Sequence, residues 1–236
     1  MMLIVMMMIM VLMIVVDAVD TNDVFDPCSD CKVRRSDGFT FGLAFSSKES
    51  SFFNQTQLSP CDKRLILSDG RAQLAVFRPK VDEISLLSID SSTFDPAASG
   101  GYMVAFAGRK YAARSEPILV ADNTHIITSF TLVLEFQSGT LQNLHWKKFG
   151  CSGCTGESFV CLNDQACAVP KSKCKSLGLG GAFDCNLSIQ LTFSGTDKNL
   201  DALNSWYEIK NLRQYSLFGL FSSVRDSLFG KYDKLF

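Results

Sequence analysis

Cysteine is the residue of this chain best placed by number and spacing to do chemistry, with nine in 236 residues. They are Cys28, Cys31, Cys61, Cys151, Cys154, Cys161, Cys167, Cys174 and Cys185. Four of them form Cys-x-x-Cys units, Cys28-Ser29-Asp30-Cys31 and Cys151-Ser152-Gly153-Cys154. Such a unit serves as a redox dithiol when a helix N-terminus lowers one thiol's pKa, as half of a tetrahedral zinc site, or as part of a cystine framework. No βαβ pattern surrounds Cys151, and four more cysteines follow Cys154 closely, which argues against the dithiol. The two units lie about 120 residues apart, beyond ordinary zinc-ribbon spacing, which argues against the metal. All nine are therefore candidates for disulfides. The six from Cys151 to Cys185 are expected to pair among themselves, and Cys28, Cys31 and Cys61 then leave one over, as an odd count requires.

No other constellation nominates a catalytic group. His125 and His145 are the only histidines, and no Gly-x-Ser-x-Gly elbow supplies a serine for either to activate. Glycoside hydrolysis needs two carboxylates at a set separation. Asp82, Glu83, Asp90, Glu116, Glu135, Asp197 and Glu208 offer many pairs, and spacing singles out none. Gly178-Leu179-Gly180-Gly181 lacks the Lys-Ser/Thr of a phosphate-binding loop and reads as a turn. Tyr102, Tyr111, Trp146, Trp206 and Tyr207 have faces that stack on sugar rings, but a sandwich core buries such residues too. No catalytic residue, metal ligand or cofactor is expected.

Compartment is written more plainly. Met1 to Val16 are all apolar and Asp17 ends the run. A membrane-spanning helix needs about 20 apolar residues, so this run is short for a span and of the length of a signal h-region. A buried core helix or an uncleaved anchor would be the other readings. Length, flank and the small residues of Val16-Asp17-Ala18 agree on a signal peptide over residues 1–18, cleaved after Ala18 or two or three residues later. Asn54-Gln55-Thr56 and Asn186-Leu187-Ser188 are sequons, which makes Asn54 and Asn186 candidates for N-glycosylation in the same compartment. Lys and Arg number 23 against 24 Asp and Glu, with no basic stripe, so a nucleic-acid partner is not expected. No later run has the length of a membrane span, so no stable span is expected after cleavage.

The elements that would position these residues are mostly strands. Phe39, Phe41, Leu43 and Phe45 alternate with smaller or polar residues at the period of a half-buried strand. Ser68-Asp69-Gly70-Arg71 between two apolar runs is a tight-hairpin signal. Ile84–Ile89, Tyr102–Ala107, Ile126–Phe136 and Ser188–Phe193 read as further strands, and Trp206–Ile209 as a last one. Residues 150–185, rich in Cys, Gly, Ser and Lys, read as a cystine-held loop region. Leu217, Phe221, Val224 and Leu228 recur at helical spacing, which predicts an amphipathic helix over about 214–230. Its polar face is not rich in Lys or Arg, which favours docking on the sheet over a membrane surface.

Several longer strings resemble a known family. Phe149-Gly150-Cys151-Ser152-Gly153-Cys154, Phe193-Ser194-Gly195-Thr196-Asp197-Lys198-Asn199, Asn204-Ser205-Trp206-Tyr207-Glu208 and Asn211-Leu212-Arg213-Gln214-Tyr215-Ser216-Leu217 resemble the plant "expressed protein" (Expp-type) precursors, as does the run from Ser129 to Cys151. The resemblance covers nearly the whole mature chain. It implies a plant secretory protein and supplies no reaction, ligand or catalytic residue.

The expectation is a mainly β chain. Residues 19–236 should form one antiparallel β-sandwich-like domain, with a cysteine-rich insertion over 150–185 and a C-terminal amphipathic helix. Its function is expected to be non-catalytic binding outside the cell or in the plant apoplast, with a cell-wall polysaccharide or an extracellular protein as partner. A carbohydrate-active enzyme using carboxylates is the alternative, and a thiol-disulfide protein a weaker one. The sequence is silent on oligomeric state.

Overall fold

The computed structural model describes residues 19–53, 56–62, 72–91, 93–108, 113–152, 154, 159–175 and 183–214. The expected signal peptide over 1–18, Asn54, the Asp69-Gly70 turn, Tyr111, the Gly178–Gly181 run and all but the first residue of the helix expected over 214–230 lie outside them.

The apolar alternation folds as a sandwich of two five-stranded sheets. In the first, β1 (Phe41–Ser46) lies between β4 (Gln73–Phe77) and β6 (Tyr102–Ala107), and β6 carries β7 (Ala113–Arg114) and β8 (Ile118–Leu119). In the second, β10 (Ser129–Gln137) lies between β11 (Thr140–Trp146) and β14 (Leu187–Thr196), and β14 carries β5 (Ser85–Ile89) and β15 (Ala202–Leu203). A smaller sheet joins β9 (His125–Ile126), β13 (Ala166–Pro170) and β12 (Val160–Leu162). The short hairpin of β2 (Phe52–Phe53) and β3 (Thr56–Gln57) follows β1.

All these pairings are antiparallel except β10 with β14, where Ser129 to Phe136 run parallel to Ser188 to Gly195. A parallel neighbour needs the chain to return to the end where its partner began. β11 makes that return, and the cysteine-rich segment then joins β11 to β14 at the same end of the sheet, passing from one side of β10 to the other.

One core fills the space between the sheets. Phe41, Leu43, Phe45 and Met103 come from one side, and Leu132, Leu134, Leu187, Ile189, Leu191 and Phe193 from the other, each at most 1% exposed. Fully burying one such side chain is worth about 1.5–3 kcal/mol. β1 departs from simple alternation, because all six of its residues are buried. Its outward position Gly42 is roofed by the Phe106 ring, and a Cβ there would stand 2.2 Å from that ring's Cζ.

Two regions differ from the sequence expectation. Trp206–Ile209 is not a strand but belongs to the helix α1 (Ser205–Gln214). Residues 150–185 are not only loop. They contain the β12–β13 hairpin, and the disulfide Cys174–Cys185 is buried in the main core.

Candidate functional site

The cysteines set the frame of the site. Cys151 bonds Cys161 and Cys154 bonds Cys167, so both halves of the second Cys-x-x-Cys unit are fixed to the β12–β13 hairpin and not to each other. Cys161 and Cys167 face one another across that hairpin, yet each reaches out to residues 151–154. With Cys174–Cys185 the six cysteines pair among themselves. The N-terminal staple runs from Cys28 to Cys61. Cys31, a disulfide candidate by sequence, is instead the free thiol among the described residues. No group of three or more His, Cys, Asp or Glu converges on a metal position among the described residues.

Cys31 stands in the wall of a cleft of about 520 Å³. One wall is the entry segment, with Asp30 and Lys32; the other is the β10–β11 hairpin, with Gln137, Ser138, Thr140 and Gln142. The walls are joined by backbone. Val33 N–H donates to the Gly139 carbonyl at 2.9 Å, Gly139 N–H to the Thr196 carbonyl at 3.0 Å, and Lys198 N–H to the Val33 carbonyl at 2.9 Å. Gly139 has φ +76°, and a Cβ on it would lie 2.6 Å from the Val33 carbonyl oxygen and 2.7 Å from Lys198 N. Only glycine fits that crossing. The Cys28–Cys61 staple and the bond from Gly108 N–H to the Pro27 carbonyl, at 2.8 Å, hold the outer end of the entry segment.

The chemistry of this cleft is hydrogen bonding. It presents one carboxylate, one ammonium, two amides and two hydroxyls. The Lys32 ammonium, the Gln137 amide and the Ser138 and Thr140 hydroxyls make no side-chain hydrogen bond among the described residues, and Gln142 only one, from Nε2 to the Thr140 carbonyl at 3.2 Å. The Cys31 thiol is pushed up by burial, against the opposing Asn22 Nδ2 donor at 3.7 Å, so at neutral pH it is a thiol and a poor nucleophile.

A second cleft, of about 430 Å³, opens at the edge of the sandwich between β4 and residues 89–99. Its floor is Phe45, Phe94 and Ile89, with Phe45 and Phe94 in edge contact at 4.7 Å between centroids. Its carboxylate, Asp95, is bonded to Lys171 Nζ at 2.8 Å and to Ala97 N–H at 3.1 Å. Each of these two clefts is thus lined by a single carboxylate, Asp30 or Asp95, and by none of the seven acidic residues nominated from sequence.

Of those seven, Glu83 faces Lys80 Nζ at 3.6 Å, and Asp82, Asp197 and Glu135 are held by partners on other elements. Asp82 Oδ1 accepts from Asn204 and Ser205 N–H, and Oδ2 faces Arg35 Nε at 3.0 Å. Asp197 is fully buried. Burial alone would raise its pKa, but N–H donors from Arg35, Asp201 and Asn199 outweigh it and hold the carboxyl below the ordinary aspartate range. Glu135 faces His145 Nδ1 at 3.6 Å on the outer side of the second sheet. Burial, then Lys147, lowers the His145 pKa, and Glu135 opposes them in part. His125 lies far along the chain at β9, beside Asp122 and Thr124.

Of the aromatic residues nominated for stacking on sugars, Tyr102, Trp146, Trp206 and Tyr207 line neither cleft. Trp146 is packed against Phe130 at 6.0 Å, Trp206 lies under Lys147 at 4.9 Å, and Tyr207 is exposed on α1. Asn186 sits at the start of β14, where its Oδ1 accepts from Ser91 N–H at 2.9 Å and from the Ser91 hydroxyl at 3.3 Å.

The polar cleft escaped sequence reading because its walls are more than 100 residues apart along the chain. The hairpin turn Ser138-Gly139 between two strand runs was its one local signal.

The chain belongs to the family described as "Uncharacterised protein DDB_G0273449", whose model matches residues 1–126 and 117–224. No curated protein and no solved structure matches it. Nothing in the family match connects the chain with the plant Expp-type precursors.

Proposed function

We propose that this family member is an exported binding protein, and that the cleft between Asp30–Lys32 and Gln137–Gln142 holds a hydroxyl-rich ligand, an extracellular polysaccharide or glycan. The observation that carries the reading is the lining of that cleft. Donors and acceptors without side-chain partners stand on two walls fixed by a disulfide and by main-chain bonds through Gly139. A fixed backbone under polar groups of this kind lowers the ordering cost of matching sugar hydroxyls. A single carboxylate and a protonated thiol do not make the acid-base pair of a glycosidase or an attacking thiolate. Four disulfides support export, because cystines persist in oxidising compartments.

The test is a glycan array together with pull-down on insoluble polysaccharides, using protein collected from the medium of a secreting host. Retention on at least one polymer, competed by its soluble fragments, is the expected result. A folded protein that no polymer or glycan retains rejects the ligand class.

A further inference from the structure

We propose that Asn186 carries an N-linked glycan and that its first sugars lie along the outer face of β5 and β14. This rests on the export reading, since the sugar donor is met only in the secretory pathway.

The sequon alone would be weak; the geometry of the side chain adds to it. Asn186 Oδ1 is engaged by Ser91 N–H and Oγ, which turns the amide and fixes it. Nδ2 donates to nothing among the described residues, and Asn186 is only half-buried. Nδ2 is the atom that takes the sugar. In the transfer it attacks the anomeric carbon of a lipid-linked diphosphate oligosaccharide. The carbon–oxygen bond to phosphate breaks, the lipid diphosphate leaves, and one Nδ2 proton passes to base. The folded chain tolerates the product because Oδ1 keeps both hydrogen bonds.

The neighbouring surface suits a sugar chain. Leu187, Ile189 and Leu191 point into the core, so Ser188 and Gln190 face outward. Ser88 lies opposite Ser188, and Leu86 opposite Gln190. β5 is paired only with β14 among the described residues, and Leu86 on it is 71% exposed. An edge strand with an exposed leucine invites pairing with a second chain. Four residues of strand separate Asn186 from Gln190, about 13 Å, a distance the first two or three sugars span.

The experiment secretes the full chain from a eukaryotic host and treats the collected protein with peptide-N-glycosidase in heavy-oxygen water. The expected result is the isotope label at position 186, lost completely in Ser188→Ala and kept in Ser188→Thr, both of which leave the Asn186–Ser91 bonds in place. Secreted protein with an unmodified Asn186 overturns the site and leaves export standing. Protein retained in the cytosol overturns both. Glycosidase-treated protein should self-associate more than untreated protein, and Leu86→Ser should remove the difference; equal self-association overturns the shielding of β5.

Discussion

Asp82 caps a helix that begins 123 residues further along the chain: its Oδ1 accepts the Ser205 N–H at 2.8 Å and the Asn204 N–H at 2.7 Å. The residue has φ +67°, a conformation an aspartate tolerates better than most side chains. Ser205 is tied in turn to β14, where its hydroxyl accepts the Phe193 N–H at 2.8 Å. Asp82→Ala removes the cap and the Arg35 partner together. A lost cap costs about 0.5–2 kcal/mol, so urea unfolding should show a lower midpoint, and Asp82→Asn, which keeps an acceptor oxygen, should recover part of it. An unchanged midpoint in Asp82→Ala would show that α1 does not depend on this contact.

Gly139 joins the two walls of the polar cleft. Gly139→Ala places a Cβ against the Val33 carbonyl and Lys198 N at a positive φ. Strain of that type costs about 1–3 kcal/mol. The variant should melt earlier and lose hydrogen-exchange protection at Val33 and Lys198 N–H before the rest of the sheets.

Asp197 gives the protein an acid-labile joint. Its folded pKa is depressed by three N–H donors, so its contribution is complete above the ordinary aspartate value of about 3.9 and is lost as pH falls through the lower folded value. The Asp197 contribution should be flat from neutral pH down to about pH 5 and then fall. Asp197→Asn should be less stable at neutral pH by about 1.5–3 kcal/mol, the scale of a hydrogen bond to a charged group, and show a shallower acid limb in a pH series of melting curves. An acid limb as steep as in the parent would place the effect elsewhere.

The thiol inventory is equally specific. Non-reducing peptide mapping should return Cys28–Cys61, Cys151–Cys161, Cys154–Cys167 and Cys174–Cys185. Cys31 should be the one cysteine alkylated without reduction, slowly in native buffer, because its thiol is half-buried and its pKa is raised. A Cys28–Cys31 cystine would contradict the fold of the entry segment.

Much of this architecture was legible in the residues, and the exceptions have physical causes. Alternation of Leu187, Ile189, Leu191 and Phe193 reports one buried face, and the structure buries all four. The same apolar content at Trp206–Ile209 reads as strand, but the segment is a helix whose first N–H groups are met by Asp82, a partner 123 residues away that no local pattern announces. The parallel pairing of β10 with β14 is not local at all. It depends on which end of the sheet the chain re-enters after the cystine-held segment. The polar cleft likewise depends on Val33, Gly139 and Lys198 meeting through backbone atoms, which carry no side-chain signature.

Binding in that cleft is the central claim, and a double variant tests it most directly. Gln137→Ala/Gln142→Ala removes two exposed amides that line the cleft and hold no element together. At about 1 kcal/mol for each lost hydrogen bond, affinity for the retained polysaccharide should fall by roughly tenfold or more while the melting temperature stays unchanged. Undiminished affinity in a folded double variant would contradict the account.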